Sequence, residues 1–569
     1  MFIADFLKGK LQAILNVSEC DFSVFPSGNS KFGDYATNIA FVLAKNRSAS
    51  PFALAEDLKK ELETNKGFCK FVSAIEAKSG YINFVLHPAW VAHIASENIQ
   101  AAIKQRKKKT IVVDYSSPNI GKTLAIAHIR STIIGDALAR IYMYMGWRVI
   151  TDSHVGDWGM LAGKLIAAYR TYSKKSLAQL SLEDIQDLYV RFTNGEEDNP
   201  ELTERAKQET VKLQRKDKEN MKIWRALVKI SIREFTDIYA LLGTVPFQHQ
   251  YGESHYRTLA DSIVKDLVAS GIAQKSQGAL IVPLDQEKLP PALIQKTDEA
   301  FLYITSDLGT IAFRCKTWRP DAVLYVVANE QALHFEQLFA INRLHPLDAH
   351  ALLVHVKFGM MLGFDGKKFS TRHGSFISLR DVISEARERA YTIAKKKNPT
   401  ISEKQLRTIA RVIGIGAIKY NDLSQNRNTD VLFDWDAMLS LSGNSAPYVQ
   451  YTYARLSSIC AKAKAKVKTK KTTWTQKDFA LFDDAENVLL KKLIQFHDVV
   501  LQASQEYAPN YIANYVYEVA TMVNAWYETH HVVHAGPVVQ SVRLKLVAQA
   551  MTVIKMGLGL LGIGVLSRM

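Results

Sequence analysis

Residues 114–159 read DYSSPNIGKTLAIAHIRSTIIGDALARIYMYMGWRVITDSHVGDWG, and the rest of the chain is organised around them. The β-branched, apolar run Thr110–Tyr115 predicts a strand, and Ser116-Ser117-Pro118-Asn119 breaks it with turn residues. From about Ala125 to Met145 apolar side chains recur every three or four residues, the period of a buried amphipathic helix. Gly146 stands where a left-handed cap ends such a helix, and Trp147–Thr151 returns to strand character. A parallel strand–helix–strand unit aims the helix N-terminus at whatever binds beyond the strand ends. That end carries unpaired N–H groups and a partial positive charge, so phosphate is the expected guest.

Gly121-Lys122-Thr123 imitates the end of a phosphate-binding P-loop, but that motif requires glycine at position 116, where the chain has Ser116. Without that backbone freedom the loop does not cradle a triphosphate, and the P-loop reading is rejected. The stretch instead resembles the nucleotide-binding segment of class I aminoacyl-tRNA synthetases, and within them the arginyl-tRNA synthetases. The resemblance is carried by Asp114, Ser116 to Asn119, Lys122, His128, Arg130 to Gly135 and His154 to Gly159. Two positions depart from it: where that family writes His-x-Gly-His, this chain has Ala125-Ile126-Ala127-His128.

The totals set wider bounds. A chain of 569 residues can bury a core in each of three domains. Its net charge of +16, from 72 Lys+Arg against 56 Asp+Glu, favours a polyanionic partner through counterion release, though charge alone does not single out a nucleic acid. Cys20, Cys69, Cys315 and Cys460 are scattered, without paired spacing or a histidine at metal spacing. That pattern argues against a disulfide framework or a structural metal and fits a reducing compartment. The opening MFIADFLKGKLQAILNV has an early acid and a short helical pattern, unlike a secretory or transit signal. MGLGLLGIGVL near the other end is too short to cross a bilayer and reads as core. A cytoplasmic protein, acting as a monomer and without a membrane partner, is expected.

Along the chain, the expected class is α/β. A Rossmann-type doubly wound catalytic domain carries a helical insertion, with an α+β N-terminal domain before it and an all-α C-terminal domain after it. Residues 1–108 form the first unit; its Ser30–Asn38 segment resembles the family's N-terminal domain, which contacts tRNA, and Gly33-Asp34-Tyr35 otherwise reads as a capped turn. Residues 109–440 form the catalytic unit, with the insertion at about 161–245, where charged helical patterns offer no chemistry of their own. Residues 279–283, 300–305 and 322–327 are strand-like and alternate with helical runs, the mark of a doubly wound sheet. Residues 441–569 are helical, and Gly443–Arg455 resembles the start of the family's anticodon-binding domain. The lysine-rich runs 104–109 and 462–471 read most simply as solvated linkers.

The resemblance implies a site, position by position. Lys122, His128, Lys368, Ser370 and Arg372 are the expected catalytic residues, the last three in a loop that closes on leaving pyrophosphate. ATP, with Mg2+ on its phosphates, is expected against Ala125, Ala127, His128, Gly156, Asp157 and Lys368. Ala125 removes a hydrogen-bond donor from that set, and Ala127 adds a methyl where adenine should lie against the backbone. L-Arginine is expected at Asp114, Ser116, Asn119, Tyr303, Asp307 and Gln331, since a planar, permanently charged fork calls for carboxylates and neutral acceptors around its plane. tRNA is expected to touch Asn38, Tyr448, Tyr451, Trp526 and Tyr527, the aromatic rings stacking on unpaired bases.

What the resemblance implies is ATP-dependent attachment of L-arginine to tRNA(Arg) through an arginyl-adenylate. Two other readings stay open at this point. One is a synthetase-derived tRNA-binding or regulatory protein whose ligation is impaired by Ala125 and Ala127; the other is a class I synthetase for a different amino acid.

Overall fold

Thr110–Asp114 and Arg148–Asp152 form neighbouring parallel strands, joined through a 3-10 turn at Ile126–His128 and the helix Ile129–Tyr144. The computed structural model describes residues 2–17, 21–27, 32–97, 108–296, 302–347, 350–363, 366, 378–397, 399–463 and 474–569. Gly146 takes positive φ (+82°) just beyond the helix, as its place in the pattern requires. The strands Leu352–His355 and Ala322–Tyr325 complete a four-stranded sheet in the order 352–355, 322–325, 110–114, 148–152, every pairing parallel. Its central strands are apolar without alternation (Ile111, Val112 and Val113 are all buried), because both faces are covered. The two sequence halves meet between 110–114 and 322–325, the switch point at which open α/β sheets bind ligands.

The apolar runs after the insertion divide differently from their sequence reading. Ala279–Val282 is a strand, but of a separate three-stranded antiparallel sheet with 274–276 and 292–295. The run 300–305 is not a strand: residues 300 and 301 lie outside the described residues, and Tyr303 opens a helix that continues to Trp318. Ile304, Leu308, Ile311 and Cys315 are buried along it at helical spacing, a period that six residues are too few to reveal. The insertion consists of the helices Gly159–Tyr172, Leu182–Asp198, Pro200–Gln214 and Lys218–Leu242.

These elements belong to one compact unit, residues 108–392 with 421–435; residues 1–107, 393–420 and 436–569 form the other. In the latter, an antiparallel sheet of 24–26, 35–37, 81–86 and 72–78 is flanked by short helices, and the helices Ala446–Lys462, Asp484–Ile494, Phe496–Gln505, Asn510–Thr529 and Pro537–Leu560 form a bundle. Sheet and bundle are joined by polar contacts. Asp34 pairs with Lys491 at 2.9 Å, and Gln495 Nε2 donates to the Asp34 carbonyl at 3.0 Å. Tyr35 OH donates to Asp498 Oδ2 (2.6 Å) and the Ala4 N–H to Asp498 Oδ1 (3.2 Å), and burial pushes the Asp498 carboxyl up to about 7. Gly557, Leu558, Leu560, Leu561 and Ile563 are buried, so the apolar C-terminal run is core. Among the described residues no helix is long and apolar enough to cross a membrane.

Candidate active site

The turn after the central strand is held by the helix that follows it. Ser116 and Ser117 adopt positive φ (+70° and +39°), a conformation that non-glycine residues keep only when their surroundings impose it. The Ser116 N–H donates to Ser131 Oγ (2.9 Å), Thr132 Oγ1 donates to Ser116 Oγ (2.9 Å), and Ser116 Oγ bonds Tyr239 OH (2.8 Å). Arg130 is buried and pairs with Asp422 at 3.0 Å, while its Nη1 donates to the Thr429 carbonyl at 2.9 Å. Arg130, Ser131 and Thr132 are therefore struts of the site rather than ligands.

The HVGDWG block docks on the same turn. Gly156 exchanges backbone hydrogen bonds with Ile120 and Pro118, both at 3.0 Å, and a Cβ there would meet Asn119 Oδ1 at 1.9 Å. Asp157 accepts from the Ser254 N–H (2.9 Å) and Oγ–H (2.7 Å), and a Cβ on Gly252 would strike its carboxylate at 2.1 Å. The insertion buttresses this region: Trp224 Nε1 donates to the Asp157 carbonyl (2.7 Å), Gln186 accepts from the Thr123 N–H (2.7 Å), and Ser231 accepts from the Gly121 N–H (3.0 Å).

What remains open beside the helix start is a short set. His128 Nδ1 faces the Ala125 backbone, 3.1 Å from its N–H and 3.3 Å from its carbonyl, and burial lowers the His128 pKa, which favours the neutral ring. Ala127 is exposed and Ala125 half-buried. The Lys122 ammonium lies over the Tyr189 ring, 4.9 Å from its centroid, and pairs with no carboxylate among the described residues. Such a cation, a neutral donor and a helix N-terminus together suit a polyphosphate.

The side that carries the expected arginine positions is dense with charge. Arg314, on the helix Tyr303–Trp318, is fully buried, with Nη2 2.8 Å from Asp114 Oδ2 and Nε 2.9 Å from Asp152 Oδ2. Asp114 Oδ1 accepts from Ser117 Oγ at 3.0 Å. Asp114 therefore already holds one guanidinium of the chain itself, that of Arg314, and its oxygens each accept one hydrogen bond within the chain. Asp307 stands on the same helix, with His334 Nε2 2.6 Å from Oδ2 and His154 Nε2 4.0 Å from Oδ1. Burial alone would raise the Asp307 carboxyl; the His334 hydrogen bond and the charges of His154, His334 and Arg314 outweigh it and hold it below its ordinary range. Glu253, which opens the helix Glu253–Ala269, is pushed up to about 8 by burial and by Asp307 and Asp157. Tyr303 is 70 % exposed, and burial of its hydroxyl, Glu253 and Tyr189 all raise its pKa. The two sides meet along the HVGDWG segment: His154 lies 4.0 Å from Asp307, the Glu253 N–H donates to the Val155 carbonyl (3.0 Å), and Gly156 docks on Pro118 and Ile120, just before Lys122.

The other expected positions divide. Asn119 and Gln331 are exposed, Gln331 at the start of the helix Ala332–Leu344. Ser116 is corrected, since its hydroxyl is buried and bonded to Tyr239 and Thr132. Asp157 is buried and bonded to Ser254, and a Cβ on Gly156 would strike Asn119. Lys368, Ser370 and Arg372 lie outside the described residues. In the other unit, Trp526 is 4 % exposed and is bundle core, which removes it as a base-stacking ring. Tyr451 and Tyr527 flank Arg455, with ring centroids 5.4 and 5.8 Å from its guanidinium carbon, while Tyr448 OH accepts from Asn524 at 3.1 Å. Asn38 Oδ1 accepts from the Ser23 N–H at 2.8 Å, a contact within the sheet domain.

Comparison with known proteins decides the family. Residues 90–435 match the family described as tRNA synthetases class I (R), catalytic domain; residues 1–86 match the arginyl tRNA synthetase N terminal domain, and 449–569 the DALR anticodon binding domain. The arginine–tRNA ligase of Fusobacterium nucleatum is 36 % identical over 95 % of this chain and 94 % of its own length. The chain belongs to the arginyl-tRNA synthetase family. The arginine–tRNA ligase of Chromobacterium violaceum, 36 % identical, is covered end to end, as is this chain. The fold is shared with the crystal structure of arginyl-tRNA synthetase from Plasmodium falciparum (TM-score 0.82, 24 % identity, 100 % of this chain and 98 % of that one) and with the Thermus thermophilus arginyl-tRNA synthetase (TM-score 0.78, 22 % identity, both chains fully covered).

Four residues of this arginyl-tRNA synthetase site escaped the sequence reading. Glu253 sits in Gly252-Glu253-Ser254 at a helix start, where an acid is ordinary. Arg314 and His334 look like polar faces of amphipathic helices, and Tyr189 lies in an insertion whose pattern speaks only of helix. The one available signal was Gly252: a glycine and a serine flanking an acid mark a close backbone approach.

Proposed function

We infer that this chain attaches L-arginine to tRNA(Arg), using ATP to form an arginyl-adenylate first. The observation that carries the reading is one juxtaposition: Asp307 meets His154 and the Glu253 N–H donates to the Val155 carbonyl, so both acids flank the segment whose Gly156 docks on the turn leading to Lys122 and His128. Arginine's carboxylate attacks the α-phosphorus, a P–O bond forms, and pyrophosphate leaves; the terminal ribose hydroxyl of the tRNA then takes the arginyl group and releases AMP. No side chain serves as nucleophile, so the protein contributes alignment and charge. The His128 ring and the Lys122 ammonium bind phosphate oxygens, and ATP enters as its magnesium complex. Asp307, kept ionised by its histidines, takes the guanidinium, and Glu253 loses its proton to become the second carboxylate. Lysine or citrulline would leave these acceptors unpaired, which is how such a site rejects them. Gln331 and Asn119 are open to receive the amino and carboxylate ends of the substrate. On this reading the enzyme works as a single cytoplasmic chain.

The test is aminoacylation of total tRNA with each amino acid in turn. Arginine alone should be incorporated. Charging with another amino acid would overturn the substrate, and tRNA binding without product would favour a tRNA-binding protein that no longer ligates.

A further inference from the structure

We propose that Arg314 is a positioning residue for arginine recognition: by bridging Asp114 and Asp152 it pins the helix that presents Tyr303 and Asp307, and so fixes where the carboxylate meets the incoming guanidinium. This rests on the reading of Asp307 as the arginine-facing acid.

Asp114 and Asp152 are register partners at the ends of two neighbouring parallel strands, so their backbones stand about 5 Å apart. Both side chains are buried, and two buried carboxylates so close repel strongly. Arg314 converts the repulsion into a staple: Nη2 lies 2.8 Å from an oxygen of each acid, and Nε adds a contact of 2.9 Å to Asp152. The Tyr325 ring closes over the guanidinium, its centroid 5.3 Å from the central carbon. A lysine ammonium could still bridge the two acids, but it would lose the separate Nε contact to Asp152 and the flat face that the guanidinium turns to the Tyr325 ring, so the helix would be held less rigidly.

The staple lies at a particular place on its helix. Arg314 follows Asp307 by seven residues, two turns along one face and about 10 Å of rise. The helix between them is unbroken, with Leu308 and Ile311 buried against the core, so it moves as one body. A small rotation permitted at Arg314 therefore becomes a displacement of Asp307 and Tyr303. The nucleotide-facing groups, Lys122 and His128, belong to a different segment and are tied through Ser116, Ser131 and Gln186 instead.

The test is aminoacylation kinetics of the full chain carrying Arg314→Lys, Arg314→Ala or Asp307→Asn. Arg314→Lys should raise the arginine KM about tenfold while the ATP KM moves less than about twofold, as misplacement of one recognition group demands. Arg314→Ala should raise the arginine KM further, and millimolar guanidinium chloride should lower it again by occupying the place between Asp114 and Asp152. In the unsubstituted chain guanidinium should act in the opposite sense, as a competitor of arginine, and sodium chloride at equal ionic strength should do neither. Parallel changes in both KM values, or a loss of kcat with both unchanged, would overturn the positioning role. Should Arg314→Ala not accumulate as folded protein, Arg314→Lys decides alone, and an unchanged arginine KM there sinks the proposal. If Asp307→Asn leaves the arginine KM unaltered, it is the reading of the site that fails, whatever the Arg314 variants do.

Discussion

On the phosphate side of the site, Lys122, His128 and the start of the helix Ile129–Tyr144 offer one cation, one neutral donor and backbone N–H groups, with plain methyls at Ala125 and Ala127. On the side proposed for the guanidinium, Asp114, Asp152, Asp307, Glu253, Arg314, His154 and His334 crowd into one set of ionisable groups. The first side leans on peptide dipoles, which no substitution at a single side chain can remove. The second consists of ionisable groups out of water whose charges depend on one another: Arg314 offsets Asp114 and Asp152, the histidines hold Asp307 ionised, and Glu253 stays largely neutral beside it. A synthetase can therefore lose a histidine and a glycine from its phosphate signature and remain a slow catalyst, whereas a comparable loss on the guanidinium side should end selectivity.

The largest expected effect breaks the charged side. Asp307→Asn keeps the shape but removes the ion proposed to meet the guanidinium and leaves His334 without its carboxylate. kcat/KM for arginine should fall about a hundredfold to a thousandfold, with the ATP KM nearly constant. Initial rates across an arginine titration would show it, and a loss below tenfold would mean that the carboxylate is not a ligand.

A smaller change, in the opposite direction, sharpens the contrast. Ala125→His with Ala127→Gly returns one donor and opens the backbone, and should raise ATP turnover about tenfold to a hundredfold without altering the arginine KM. Ala127 is exposed, so the glycine itself meets no packing obstacle. Unchanged turnover would show that the peptide dipoles already suffice.

The mildest effect is a pH dependence. Glu253 carries a carboxyl pushed up to about 8 by burial, Asp307 and Asp157, so near pH 7 it is mostly protonated and neutral. Raising the pH through 8 ionises it, and an anion binds a guanidinium better than a neutral acid does. The arginine KM should fall, by at most about tenfold, between about pH 7 and 9. Glu253→Gln should flatten that limb while leaving the pH dependence of the ATP KM in place.

How far the sequence reaches follows the same division. The helix from 129 to 144, its cap at Gly146 and the strands beside it were legible, because periodicity and turn chemistry are local. Tyr303 and Asp307 were legible as a spaced pair, but the run 300–305 that includes Tyr303 read as strand, since six residues, five of them apolar, suit either period. Asp114 shows the limit most clearly. A signature acid announces a guanidinium nearby, yet only the fold says that it belongs to Arg314, two hundred residues away in the chain. Trp526 shows it again: an aromatic residue on an amphipathic helix does not reveal which way it faces, and this one faces the core.

The seat of the amino-terminal sheet on the carboxy-terminal bundle has a consequence for biosynthesis. Ala4 and Tyr35 bond to Asp498, and the first of these contacts spans 494 residues. At translation speeds of roughly 5–20 residues per second, Ala4 waits about 25–100 s for its partner to be made. During that interval the earliest-made sheet lacks the surface on which it is finally seated.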